Sequence, residues 1–290
     1  MSGRPTSLKE MHERMQPLFS LEGYQQGLAM KLRPTDVVIT PYGKSGTTWT
    51  QQIVHSLRTR GDMDFDDISR VVPWIETSIA LGIDLEAEQR ADPRAFKSHL
   101  TWDLVPKGGK YINVVREPGD VAVSAFKFQE GWFLEPGSVP IDDYVAAQFL
   151  KPRHYFKHLL SWWPHRDDPD VLFLAYEKML QDPRHTIRRI AAFIDIELDD
   201  ELLALTEEHA SLEFMLAHKD RFDDAMFRLR GEELAGIPPG SDSAKVRAGV
   251  RGSRTELRPH TLDDIQAAWR EEITAELGFV DYESLIAELD

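Results

Sequence analysis

Asp36-Val37-Val38-Ile39-Thr40-Pro41-Tyr42-Gly43-Lys44-Ser45-Gly46-Thr47-Thr48-Trp49 runs from a β-branched stretch, through a turn of small residues, into a helical pattern reaching about residue 60. A short β-branched run over 36–40 reads as a buried strand, and 47–60 as the helix that follows it. A turn of this kind lets several backbone N–H groups point at one anion while the helix N-terminus adds its positive end. Lys44 adds a full charge, and Ser45, Thr47 and Thr48 add hydroxyl donors. Gly43-Lys44-Ser45 fits the end of the nucleotide P-loop pattern, but the position of that pattern's first glycine is Val38. The loop therefore reads as a phosphate binder that is not a Walker A motif.

Outward from this unit the same alternation repeats. Short strands are expected over 95–99, 111–115 and 171–176, with a helix opening at Pro118 and another over 183–194. Strands separated by crossover helices imply a mostly parallel sheet covered on both faces, an α/β, P-loop-like three-layer fold. The second half turns helical, with helices expected over 200–209, 211–219 and 261–277. In the last of these, Ile265, Trp269, Ile273 and Leu277 form one stripe spaced by four. The stretch 231–258, rich in Gly, Pro, Ser and Arg, reads as one long loop that orders on binding. Asp62, Asp64, Asp66 and Asp67 read as a solvated acidic loop. With no composition shift that would mark a linker, residues 1–290 are expected to form a single domain.

Composition narrows the function. The chain has 290 residues, 42% of them hydrophobic, enough for a core without staples, and no cysteine. Disulfides, thiolate metal sites and a cysteine nucleophile are thereby excluded, and a reducing cytoplasm suits the sequence. Thirty-four Lys+Arg against 49 Asp+Glu give a formal charge of −15, which argues against nucleic acid as a partner. An anion site must then be a local basic pocket on an acidic body. The first 20 residues carry no apolar core of a signal peptide, and no run is long and apolar enough for a membrane span.

Three further segments complete a pattern. Val114-Val115-Arg116-Glu117-Pro118-Gly119-Asp120-Val121-Ala122-Val123-Ser124 sets an arginine at a strand end and a serine about two helical turns later. Arg247-Ala248-Gly249-Val250-Arg251-Gly252 is a second basic, glycine-spaced loop. Phe96-Lys97-Ser98-His99 places a lysine and a histidine two apart, on one face of a strand. Together with Lys44-Ser45-Gly46-Thr47-Thr48-Trp49, these segments resemble the cytosolic-type sulfotransferases, which use 3′-phosphoadenosine 5′-phosphosulfate. The resemblance runs from about residue 36 to 279.

It implies specific roles. Lys44, Ser45, Gly46, Thr47 and Thr48 match the loop that holds the 5′-phosphosulfate. Arg116 and Ser124 match the pair on the 3′-phosphate, and Arg247 with Gly249 the late loop that closes over it. Trp49 and Tyr176 fall at adenine contacts, and Leu212 stands where the family often has an aromatic ring. His99 matches the catalytic base and Lys97 a lysine beside the transferred group. The implied product is 3′,5′-bisphosphoadenosine, with no metal. Departures are Gly43 for a common proline, Ala248 for a lysine and Arg254-Thr255 for a tryptophan–lysine pair, with Arg251 and Arg254 as substitutes for the missing charge. Trp74, Phe126, Phe128 and Trp132 are apolar residues suited to line an acceptor pocket for a small alcohol or phenol. Two other readings stay open at this point: a nucleotide-dependent phosphotransferase built on the same loop, and a catalytically silent nucleotide-binding relative.

Overall fold

Four strands, β1 (Val37–Ile39), β2 (Ala95–Lys97), β3 (Lys110–Val115) and β4 (Val171–Ala175), pair in the order β2-β1-β3-β4, all parallel. The computed structural model describes residues 3–243, 245–247 and 252–289. β1 lies at the centre, with Val38 opposite both Phe96 and Tyr111. Because side chains alternate along a strand, each strand feeds two cores. Val38, Phe96, Tyr111, Val115 and Phe173 enter one, where the helices Pro118–Trp132 and His154–Trp162 pack. Val37, Ile39, Ile112, Val114 and Leu172 enter the other, beneath the helices Thr47–Thr59 and Pro183–Phe193. The parallel α/β sheet between helical layers is the expected fold.

Two buried polar devices fix the two ends of the strands. Asp36 and Arg94, just before β1 and β2, form a two-point ion pair (Nε–Oδ1 2.9 Å, Nη2–Oδ2 2.6 Å) with both side chains at or below 1% exposure. Val37 N–H donates to Arg94 O at 2.8 Å, so the pair sits where the β1–β2 ladder begins. At the other end Asn113 Nδ2 donates to Thr40 O (3.0 Å) and fixes the exit of β1 into its loop.

Several elements differ from expectation. β2 ends at Lys97, so His99 lies beyond the strand, although Ser98 N–H still donates to Ile39 O at 2.9 Å. The expected loop 231–258 begins later, because the helix Ala225–Ala235 takes its first five residues. Gly231 is a packing glycine: a Cβ there would sit 3.3 Å from the Trp132 ring. The helix stops at Gly236, whose φ of 60° is left-handed. A 3₁₀ turn, Ser253–Glu256, takes part of the far end. Asp67 is no solvated residue. It is buried, accepting from Ser69 N–H (2.8 Å) and Met226 N–H (3.1 Å), and so ties the short helix Ile68–Val71 to the Ala225–Ala235 helix.

The N-terminal helix Leu8–Met15 is held by Arg14, which donates to the carbonyls of Ala235 and Gly236, each at 2.8 Å. These are carbonyls at a helix end, which have no intrahelical donor. The staple brings Met15 and Phe19 to the wall of the cavity described next.

Candidate active site

β1 delivers the chain into the turn, where Lys44 takes φ 72° and Gly46 φ 99° before the helix starts at Thr47. Gly46 is required twice over: its backbone is left-handed, and a Cβ would lie 2.9 Å from the Tyr176 ring. Helix geometry leaves the first-turn N–H groups without an intrahelical acceptor. Ser45 Oγ and Thr47 Oγ1 are buried without a hydrogen-bond partner among the described residues. Buried hydroxyls in that state suit an anion-binding turn. Ser45 itself lies beneath the loop, behind the cavity wall.

The loop opens on a cavity of about 380 Å³. Fifteen of the residues expected at the site line it: Lys44, Gly46, Thr47, Thr48, Trp49, Trp74, Lys97, His99, Arg116, Ser124, Phe128, Trp132, Tyr176, Leu212 and Arg247. Ser124, Phe128 and Trp132 recur every four residues and so share one face of the Pro118–Trp132 helix. Phe126 lies on the opposite face and packs on Tyr144 in the core, ring centres 5.5 Å apart; it does not line the cavity. Gly249 and Arg251 lie outside the described residues. Arg254 turns away to Glu117 (3.7 Å), its backbone N–H held by Asp120 at 2.8 Å.

At one end Trp49 and Tyr176 meet edge to face, ring centres 5.7 Å apart, with Trp49 Nε1 donating to Ala210 O (2.8 Å). Leu212, 40% exposed, supplies an aliphatic wall there. The Arg116 guanidinium sits over the Tyr176 ring (4.4 Å to its centre) and donates to Lys44 O (3.0 Å), so it braces the turn. The opposite end is apolar, with Phe19, Trp74, Phe128, Trp132 and Phe227.

Between the ends cations crowd together. Burial, with Lys245, Arg116 and Lys97 nearby, pulls the Lys44 ammonium well below its ordinary range, against the opposing pull of Asp224. Lys97 is drawn down to about 8 by burial, again against Asp224. Such a cluster favours a bound anion. His99 Nδ1 lies 2.7 Å from Pro41 O, an acceptor only, so Nδ1 carries the proton and Nε2 is left with its lone pair. Burial, followed by the nearby Lys97, lowers this imidazole to about 4, so it is neutral at physiological pH. Its backbone N–H donates to Glu76 Oε1 (2.7 Å), holding the residue after the strand has ended.

Asp224, Lys245, Gln129, Met15, Phe19 and Phe227 also line the cavity and were not read from sequence. Ser7 accepts from Glu10 N–H and caps the N-terminal helix, a local signal that marks the element bearing Met15. Asp224 and Lys245 have no such signal. Among the described residues no group of three or more His, Asp or Glu could hold a metal ion, and no helix is long and apolar enough to cross a membrane.

The geometry defines an α/β protein of P-loop-like fold, with a strand–helix turn, a cluster of cations and an apolar wall in one cavity. Residues 34–228 match the family described as sulfotransferase domain. Sulfotransferase 1B1 of Canis lupus familiaris is 35% identical over 198 residues, covering 63% of this chain and 67% of that protein. The chain belongs to the sulfotransferase family. Two solved structures share its fold. Retinol dehydratase, in a complex with retinol and PAP, aligns with TM-score 0.68 and 22% identity over 89% of this chain and 87% of that one. Mouse sulfotransferase SULT7A1, complexed with PAP, aligns with TM-score 0.66 and 23% identity over 90% and 91%.

Proposed function

We propose that this protein transfers the sulfuryl group of 3′-phosphoadenosine 5′-phosphosulfate to a hydroxyl or amine of a small, largely apolar acceptor, releasing 3′,5′-bisphosphoadenosine. The observation that carries the reading is the single cavity in which the anion turn, the cation cluster and the bare Nε2 of His99 face an aromatic wall. PAP in two proteins of the same fold supports the nucleotide, as does the match of Arg116, Ser124 and Arg247 to the family's 3′-phosphate contacts. The same reading has the enzyme working in the cytoplasm, on its likeness to the cytosolic-type members, and calls on no metal.

In the proposed step His99 Nε2 takes the acceptor proton as the acceptor oxygen or nitrogen bonds to sulfur. The bond from sulfur to the bridging phosphate oxygen breaks, and its electron pair stays on the phosphate. Lys44, the loop N–H groups and the hydroxyls of Thr47 and Thr48 stabilise that growing charge, while Lys97 steadies the transferring group. The phosphotransferase reading meets a physical obstacle: Val38, at the first P-loop glycine position, is fully buried mid-strand and paired on both sides. Labelled donor incubated with phenols, aliphatic alcohols, sterols and amines tests the proposal. Sulfated product from an apolar acceptor is expected. No transfer to any of them, with ATP binding as tightly as bisphosphoadenosine by calorimetry, would sink it.

Two more results are expected. Arg116→Ala should weaken binding of 3′,5′-bisphosphoadenosine by about 1.5–3 kcal/mol and of adenosine 5′-phosphate much less, by calorimetric titration. Equal losses would mean that Arg116 acts only as a brace for the Lys44 carbonyl. The second concerns pH. His99 must be neutral and is depressed to about 4, so kcat/KM should fall only as pH drops through about 4. Lys97 must be charged and is depressed to about 8, so a second fall should come as pH rises through about 8. An acid limb at the ordinary imidazole value of about 6.5 would show that His99 is not shielded as the geometry indicates.

A further inference from the structure

Asp224 and Lys245 are charged residues of the cavity that the mechanism above leaves unused. Asp224 precedes the Ala225–Ala235 helix with φ 49°, and its side chain is buried. Oδ1 accepts from Lys97 Nζ (3.1 Å) and from Ser69 Oγ (2.9 Å), while Oδ2 accepts from Lys245 Nζ. One carboxylate thus joins lysines from β2 and from the late loop, their side chains 2% and 10% exposed. One negative charge against two positive ones leaves a net positive charge beside Lys44. The late loop has Ala248 in place of a lysine, and Arg254 is turned to Glu117. Lys245 is therefore the late-loop lysine that reaches this part of the wall.

We propose that Lys245 is a donor-binding residue that contacts the transferred sulfuryl group, and that Asp224 is the positioning residue that holds Lys245 and Lys97 together beside His99. The inference rests on the sulfuryl-transfer reading and adds to it a residue that the family resemblance did not name. The carboxylate holds the late loop against the cavity wall through Lys245. It also offsets part of the repulsion between two buried ammonium groups that would otherwise separate.

Lys245→Met keeps the stem and removes the charge. It should lower kcat/KM for the phosphosulfate donor by about ten- to a hundredfold. Affinity for 3′,5′-bisphosphoadenosine, which has no sulfuryl group, should stay within about threefold, and Lys245→Arg should recover most of the loss. Equal loss for donor and bisphosphate, or unchanged kcat/KM, would overturn the assignment. Asp224→Asn tests the positioning role, since asparagine also tolerates the left-handed backbone. Lys97 is faced by Asp224, Lys245, Lys44, Asp67 and His99. Loss of the Asp224 anion should shift the upper pH limb of kcat/KM toward neutrality, and an unmoved limb in a folded variant would refute that role. If Asp224→Asn does not fold, the Lys245 variants decide alone. A wild-type protein that turns over no donor fails the broader reading; one that turns over donor while Lys245→Met keeps full rate fails only this inference.

Discussion

His99→Ala is expected to lower turnover by about 10²–10⁴-fold while the affinity for 3′,5′-bisphosphoadenosine stays within a few-fold. The magnitude is that of a general base removed from a site whose other parts remain. The hydrogen bond from Nδ1 to Pro41 O fixes the ring so that only Nε2 is available to take a proton. Its neutrality comes from burial and from Lys97, and neither depends on a nucleotide. The small change in affinity is expected because, under the proposed function, the imidazole serves the acceptor and not the nucleotide. Initial rates over the accepted acceptors, with calorimetry on the same preparation, measure both quantities. A variant keeping more than about a tenth of the wild-type rate would remove His99 from the role.

Arg94→Met should cost about 3–5 kcal/mol of folding stability in urea denaturation, the largest structural effect expected of a single change here. The substitution leaves Asp36 buried with half its partners gone, and an uncompensated buried carboxylate is far worse than a buried pair. Among the described residues, Arg33 N–H, at 2.8 Å from Asp36 Oδ2, is the hydrogen bond to the carboxylate that remains. The double variant Asp36→Leu/Arg94→Met should recover much of the loss, since replacing both charges removes the desolvation problem with them. A single variant losing less than about 1 kcal/mol would show that the pair merely decorates the strand ends. A coupling to activity is expected as well, because the pair aligns the strand leading to Lys44 with the strand leading to Lys97.

How much of this could be read from the chain follows from the range of the forces involved. The sheet was legible because fully buried parallel strands are continuous apolar runs, and the anion turn because Gly46 and the first helical turn act through local backbone geometry. Phe126, Phe128 and Trp132 were grouped by apolarity alone, without the helical period that puts Phe128 and Trp132 on the face of Ser124 and Phe126 in the core. The 231–258 stretch misled because Gly231, a helix breaker by propensity, is kept for close packing against Trp132. Asp224 and Lys245 were out of reach: Asp224 meets Lys97 across 127 positions of sequence and Lys245 joins them only through Asp224, with no periodicity or spacing to announce it. Long-range salt bridges leave no local trace.

The crowding of Lys44, Lys97, Lys245 and Arg116 around one cavity has a consequence for the lifetime of the polypeptide. Like charges held together inside a protein oppose folding, and a bound polyanion relieves that opposition in the folded state alone. By mass action a ligand at 100 times its dissociation constant adds about 2.7 kcal/mol to the folded state. Under the proposed function, donor and product present the same phosphates, so either one protects the chain, and the acceptor does not. What leaves it open to unfolding and proteolysis is a shortage of the adenine nucleotide. Its abundance would then follow the combined pool of donor and product, whatever compound is being sulfated.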